Sequence, residues 1–217
     1  MTALTWPENT SLEAAYIADV NERDIHRLVD EEILPRHLLE TSRTQRRFDL
    51  LACVLGAFYF QASRALTKEA RRRVMDEIVV RWEKWMATRS SNHEVNLAAL
   101  NWSITIDSVL SVNVQPVAQA TAQRAAQLAR LKDMVQIHED VLGGEPVFSG
   151  TRVPVRTVAD WLNSGETHSA ILEAFPRVTQ DMIDLAPLWV RTHPQRGRPK
   201  KLTDHSRPST QSWKKLA

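Results

Sequence analysis

The chain has 217 residues, 43% hydrophobic and 25% charged, with a formal net charge of +2. These are ordinary globular values, enough for one large domain or two to three small ones. No run of 18 apolar residues exists, so no transmembrane helix is expected. The single cysteine, Cys53, excludes an internal disulfide, and Met1 to Glu8 lacks the basic-then-apolar order of a secretory signal, so a cytoplasmic location is expected. The small net charge hides an asymmetry. Residues 194–217 carry seven Lys/Arg and one Asp, about +6, which leaves 21 Lys/Arg against 25 Asp/Glu, about −4, for the rest. A basic end on an acidic body suits a polyanion or an acidic protein site.

In chain order, Thr10-Ser11-Leu12-Glu13 places a hydroxyl three residues before a glutamate, which predicts a capping box and a helix running to about Ala18. Asp19-Val20 makes a turn, and Asn21 caps a second helix from Glu22 to about Glu31. Ile25, Leu28 and Val29 share one face, and Arg23, His26 and Arg27 lie largely on others. Ile33-Leu34-Pro35 ends the unit. Over residues 41–90, Phe48, Leu51, Leu55, Phe58 and Ala62 recur at helical steps, and Thr67 caps a further helix with Ala70, Val74, Ile78, Trp82 and Trp85 on its apolar face.

Residues 95–115 switch to alternation, from Trp102 to Gln115. If they fold as a hairpin, pairing Ile106 with Leu110 requires a three-residue loop, Asp107 to Val109. A single long strand is the alternative. Pro116 suits the first turn of a helix reaching about Lys132. Gly143-Gly144, Pro146, Gly150 and Pro154 then punctuate short apolar runs, so Val141 to Trp161 reads as turn, strand, turn, strand, helix. Three short helices follow, about 156–163, 167–174 and 179–192, with Thr167 and Thr179 as caps. Pro187 is expected to kink or end the last one. Residues 194–217 have no periodicity and read as disordered when free.

The predicted fold is mainly α with a small β component: a helix-turn-helix unit (1–40), a helical and β-hairpin middle (41–133), a small three-helix domain (134–193) and a basic tail (194–217).

Two stretches carry resemblances. Ala14-Ala15, Ile17, Val20, Asn21, Arg23 and Ile25 through Leu34-Pro35 resemble the start of MerR-like winged-helix domains. Gly143-Gly144-Glu145-Pro146, Gly150-Thr151-Arg152-Val153-Pro154-Val155 and Ile171-Leu172 to Thr179 resemble the small domain of unknown function, family 433. Proteins that join the two look like VapB-type antitoxins. The resemblance implies a cytoplasmic type II antitoxin, not an enzyme, that represses its own operon as a homodimer or higher oligomer and binds a PIN-like ribonuclease toxin. It implies operator contacts from Asn21, Arg23, His26, Arg27 and Arg36. PIN-like toxins hold Mg²⁺ or Mn²⁺ in a carboxylate cluster, and a basic side chain can neutralise that cluster. The charge of the tail nominates Arg196, Arg198, Lys200 and Lys201 for this role.

Other readings stay open. Residues 21–27 are alternatively an exposed helix without a ligand, and Asp24 and Asp30-Glu31-Glu32 would repel phosphate. Arg196-Gly197-Arg198-Pro199-Lys200-Lys201 resembles an AT-hook core, the basis of an alternative reading as a stand-alone DNA-binding regulator. Trp213, alone among cations, is either a partner anchor or a residue without a role.

No nucleophile stands beside a base and no zinc-enzyme spacing occurs, so no catalytic residue, metal or cofactor is expected. Cys53 reads as a buried small hydrophobe, Ser149 to Arg152 as a turn, His138-Glu139-Asp140 as a turn or cap, and Arg71-Arg72-Arg73 as a solvated helix face. Trp82, Trp85, Trp102, Trp161 and Trp189 read as core or dimer packing.

Overall fold

Capping and helical periodicity set most of the architecture. In a computed structural model, residues 9–42, 45–87 and 100–195 are described. The tail candidates Arg196, Arg198, Lys200, Lys201 and Trp213 lie outside them. The eight helices of the described residues are α1 Ser11–Ala18, α2 Glu22–Asp30, α3 Leu50–Gln61, α4 Lys68–Ala87, α5 Gln115–Asp133, α6 Val155–Asn163, α7 His168–Ala174 and α8 Gln180–Thr192. The strands are short: β1 Asn9–Thr10, β2 Leu39–Thr41, β3 Arg46–Phe48, β4 Ser103–Ile106, β5 Leu110–Asn113, β6 Val135–Gln136 and β7 Val147–Phe148. The fold is thus mainly α with a small β component.

The local rules hold closely. The Thr10 hydroxyl accepts from Glu13 N–H, and the Glu13 carboxylate accepts from Thr10 N–H, so the capping box forms. Asn21, Thr167 and Thr179 each accept from a backbone N–H three residues on, as does Thr67 from Ala70. Pro116 lies in the first turn of α5. The hairpin β4–β5 pairs Ile106 with Leu110, leaving Asp107 to Val109 as the loop. Its buried residues are Ile104 and Ile106, and Arg73 of α4 grips the loop through both Asp107 oxygens at 2.6 and 2.8 Å.

Four expectations change. Phe48 is not on a helical stripe. It ends β3, opposite Asn9 and Leu39 in a sheet of order β1-β3-β2. That sheet ties residues 39–48 to the strand preceding α1, so the β2–β3 hairpin belongs with the first helical pair. Helix α3 is not simply amphipathic: every residue from Leu51 to Tyr59 is buried. Pro187 does not end α8, which continues to Thr192. It sits on the exposed side of the helix, whose opposite side is held in the core by Ile183, Ala186 and Trp189. In the signature stretch, β7 forms as expected, but the second strand is reduced to a bridge between Val147 and Pro154.

Helix α5 is the spine, packing on α1, α3 and α8, and α8 packs in turn on α1, α6 and α7. A single core joins Ala14, Leu28, Leu55, Trp102, Leu128 and Ile183. The two-helix unit is therefore fixed rigidly to the C-terminal helices. Trp82, Trp102 and Trp189 are buried, and Trp85 and Trp161 are half-buried against the same core. No helix among the described residues is long and apolar enough to cross a membrane.

Candidate nucleic-acid interface

The turn between α1 and α2 is short because Asp19 takes the left-handed conformation at φ 56°, and its carboxylate is held by Arg124 of α5 at 2.8 Å. Ile25 and Leu28 bury one side of α2, which leaves Arg23 and Arg27, four residues apart, on the solvent side. Arg23 is exposed and has no partner among the described residues. Arg27 lies 3.7 Å from Asp24 and 3.3 Å from Glu31. His26 stands on the flank, 3.7 Å from Glu22 and 3.3 Å from Arg46. Asn21 spends its side-chain oxygen on Asp24 N–H at 2.8 Å. Arg36 falls in a 3₁₀ turn, Arg36–Leu38, beyond the end of α2, paired with Glu32 at 2.6 Å. The structure therefore groups Arg23, His26 and Arg27, puts Asn21 at the entrance of α2, and sets Arg36 apart.

Sequence reasoning missed the hairpin. Arg46 reaches from β3 to Asp30 of α2 at 2.9 Å, and Arg47 bonds Gln45 at 3.2 Å. The signal was the run Gln45-Arg46-Arg47 after the turn residues Thr41-Ser42, which a helical reading of 41–90 absorbed. Charge across this region balances. By sequence, residues 22–48 carry six arginines (23, 27, 36, 43, 46, 47) and six carboxylates (22, 24, 30, 31, 32, 40), a net of zero.

A cleft of about 650 Å³ opens between the N-terminus of α1, the flank of α2, the hairpin and the end of α8, lined by Thr10, Glu22, His26, Ser42, Arg46 and His193. Behind it Glu13, 2% exposed, takes Lys132 of α5 at 2.7 Å and lies 3.4 Å from His193. Burial pushes this carboxyl's pKa up, but hydrogen bonding from His193, Lys132 and the Thr10 backbone outweighs it and holds the value at about 2.

Beneath the hairpin, Asp49 caps α3 through Ala52 N–H, and its second oxygen, Oδ2, is buried with no hydrogen-bond partner among the described residues. Burial raises its pKa to about 7, against the opposing Ala52 hydrogen bond. Burial, and then the charges of Asp49 and Glu13, push the Cys53 thiol far up. Cys53 is 1% exposed, as expected for a small core hydrophobe. A thiol reagent is expected to leave it unmodified in the native protein and to label it fully in denaturant. Native labelling at the denatured rate would contradict the packing.

The remaining motifs are structural. Val141 N–H donates to His138 C=O at 2.9 Å, closing a turn over Glu139 and Asp140. The Thr151 hydroxyl donates to Phe148 C=O and accepts from Val153 N–H, fixing the turn at Gly150. The three consecutive arginines are braces rather than a solvated face. Arg71 packs 4.1 Å over the Tyr59 ring, Arg72 donates to Glu31 C=O at 3.2 Å, and Arg73 holds Asp107. Among the described residues, no group of three or more His, Cys, Asp or Glu is placed to hold a metal.

Residues 135–187 match the family described as "Protein of unknown function (DUF433)". The uncharacterized protein y4eO of Sinorhizobium fredii is 33% identical over 191 residues, covering 86% of this chain and 81% of that protein. The chain belongs to the same family as that protein. A crystal structure of Rv2018 from Mycobacterium tuberculosis is similar over 86% of this chain and all of that one, at 19% identity and a TM-score of 0.36.

Proposed function

We propose that the protein is a type II antitoxin that represses its own operon. The α1–α2 pair and the β2–β3 hairpin act as a winged helix-turn-helix, with Arg23 and Arg27 of α2 facing the duplex. The observation that carries the DNA half is the geometry. A two-helix unit with a three-residue turn presents exposed arginines at i and i+4, with an arginine-bearing hairpin beside them. Asn21 and His26 support the entrance and flank of α2, and Arg46 and Arg47 extend the surface onto the hairpin. A two-fold dimer suits a palindromic operator. The toxin half is supported by the resemblance of the signature domain and by the charge at the C-terminal end. There Arg196, Arg198, Lys200, Lys201 and Trp213 would engage the acidic site of a PIN-like ribonuclease.

Two tests separate the halves. Arg23→Ala and Arg27→Ala are each expected to weaken binding to duplexes from upstream of the gene by about 1–3 kcal/mol, roughly 5- to 150-fold. Unchanged affinity in both variants sinks the assignment of α2 as the reading helix. Co-expression with the product of an adjacent frame bearing spaced acidic residues is expected to give a stable complex and restore growth. If it neither co-purifies nor rescues growth, the antitoxin reading falls and the stand-alone regulator replaces it.

A further inference from the structure

The polar groups around the cleft between α1, α2, the hairpin and the end of α8 divide into spent and unspent. The α8 wall is spent. The His193 ring stacks on Trp189 at 3.9 Å, its Nδ1 lies 2.9 Å from the Thr192 hydroxyl and its Nε2 3.4 Å from Glu13. The Thr192 hydroxyl donates to Leu188 C=O at 2.8 Å. This wall gives the cleft its shape rather than its hydrogen bonds.

The opposite wall is unspent. Arginine has donors only, so His26 Nδ1 accepts from Arg46 at 3.3 Å and the ring proton sits on Nε2. That nitrogen faces Glu22 at 3.7 Å, too far for a hydrogen bond. Glu22 is exposed and has no nearer side-chain partner among the described residues. Arg46 spends one N–H on His26 and one on Asp30 at 2.9 Å, and the rest of its fork is unspent. The Ser11 and Thr41 hydroxyls line the same cleft without a partner among the described residues. A carboxylate and a guanidinium therefore stand on either side of one imidazole, with free hydroxyls around the same space.

Charge selects the ligand. A plain anion would be repelled by Glu22 and a plain cation by Arg46, while a zwitterion satisfies both. The volume of about 650 Å³ suits a small molecule, since such sites span ~300–1,000 Å³, and the polar lining suits a polar one. We propose that the cleft binds a free α-amino acid, its carboxylate on Arg46 and its ammonium on Glu22, with the Ser11 and Thr41 hydroxyls left for a polar side chain. The site goes beyond the DNA-binding reading and does not depend on it. Its occupant would touch α1, α2, the hairpin and His193 at once.

The test titrates the full chain, labelled with ¹⁵N, with each of the common L-amino acids and follows the backbone amides by NMR. At least one amino acid with a polar side chain is expected to shift Ser11, Glu22, His26, Thr41 and Arg46 together and to saturate. Its N-acetyl and carboxamide derivatives each lack one charge, and each is expected to bind about tenfold more weakly. Glu22→Gln should erase the penalty on the N-acetyl form alone, and Arg46→Gln the penalty on the carboxamide alone. Damage to the fold would weaken all three ligands alike and could not produce that crossed pattern. If no amino acid moves these residues, or if the blocked derivatives bind as tightly as the parent, the site is overturned. Shifts there with a DNA duplex alone assign the cleft to the DNA surface and overturn it equally.

Discussion

Glu13→Ala is expected to lower folding stability at pH 7 by about 3 kcal/mol, the low end for breaking a buried ion pair, because Lys132 keeps 37% of its side chain exposed. The carboxylate is 2% exposed and serves three elements at once. It closes the α1 capping box on Thr10 N–H at 2.8 Å, neutralises Lys132 of α5 at 2.7 Å and meets His193 after α8. Truncation leaves Lys132 facing a buried void. The acid dependence is the sharper check. In the unfolded chain this group protonates near 4.5, while in the folded chain it stays ionised to about 2. Between those values the unfolded state binds more protons, so stability rises with pH there. The contribution is complete above about pH 4.5 and is lost as pH falls toward 2. The difference of roughly 2.5 units corresponds to about 3 kcal/mol. Urea unfolding at pH 7 and pH 3 should show this loss in the native protein and its absence in Glu13→Gln. Equal acid sensitivity in the two proteins would remove Glu13 from this role.

That node shows what was legible in the sequence. The capping box links residues three apart, so the Thr10-to-Glu13 spacing announces it, and the caps at Asn21, Thr67, Thr167 and Thr179 follow the same local rule. The β4–β5 loop was readable because side-chain parity permits few registers. The other duties of Glu13 were not readable, since Lys132 and His193 lie more than a hundred residues away in the chain. The same holds for the arginines of α4, whose partners Tyr59, Glu31 and Asp107 are set by tertiary packing.

The β2–β3 hairpin, and with it part of the candidate interface, was hidden for a different reason. Phe48 precedes Leu51 and Leu55 at steps that also fit a helix, and only its pairing with Asn9 and Leu39 makes it a strand. Pro187 shows the converse, a local breaker overridden because α8 is held by contacts with α1, α5, α6 and α7.

Asp49 went unremarked in the sequence, and the burial that the structure gives it makes it the source of an opposite pH effect. Its folded pKa is raised from 3.8 to about 7. The folded state therefore holds the proton more tightly than the unfolded state. Stability from this group is greatest below about pH 4 and is lost as pH rises through 7, by an amount on the order of 4 kcal/mol. The cause is Oδ2, buried without a hydrogen-bond partner among the described residues while Oδ1 caps Ala52. Asp49→Asn keeps an oxygen for the cap and removes the charge. It is expected to be near neutral at pH 4, to stabilise the protein by a few kcal/mol at pH 8, and to flatten the profile between. Glu13 and Asp49 together then place the stability maximum near pH 4, with Glu13 setting the acid side and Asp49 the decline toward neutral pH. They share no hydrogen-bond partner, so the double variant Glu13→Gln, Asp49→Asn should lose both slopes. Thermal melts across pH 3–8 read this directly. A single Asp49→Asn variant that melts lower than the native protein at pH 8 would mean that the carboxylate is paired rather than orphaned.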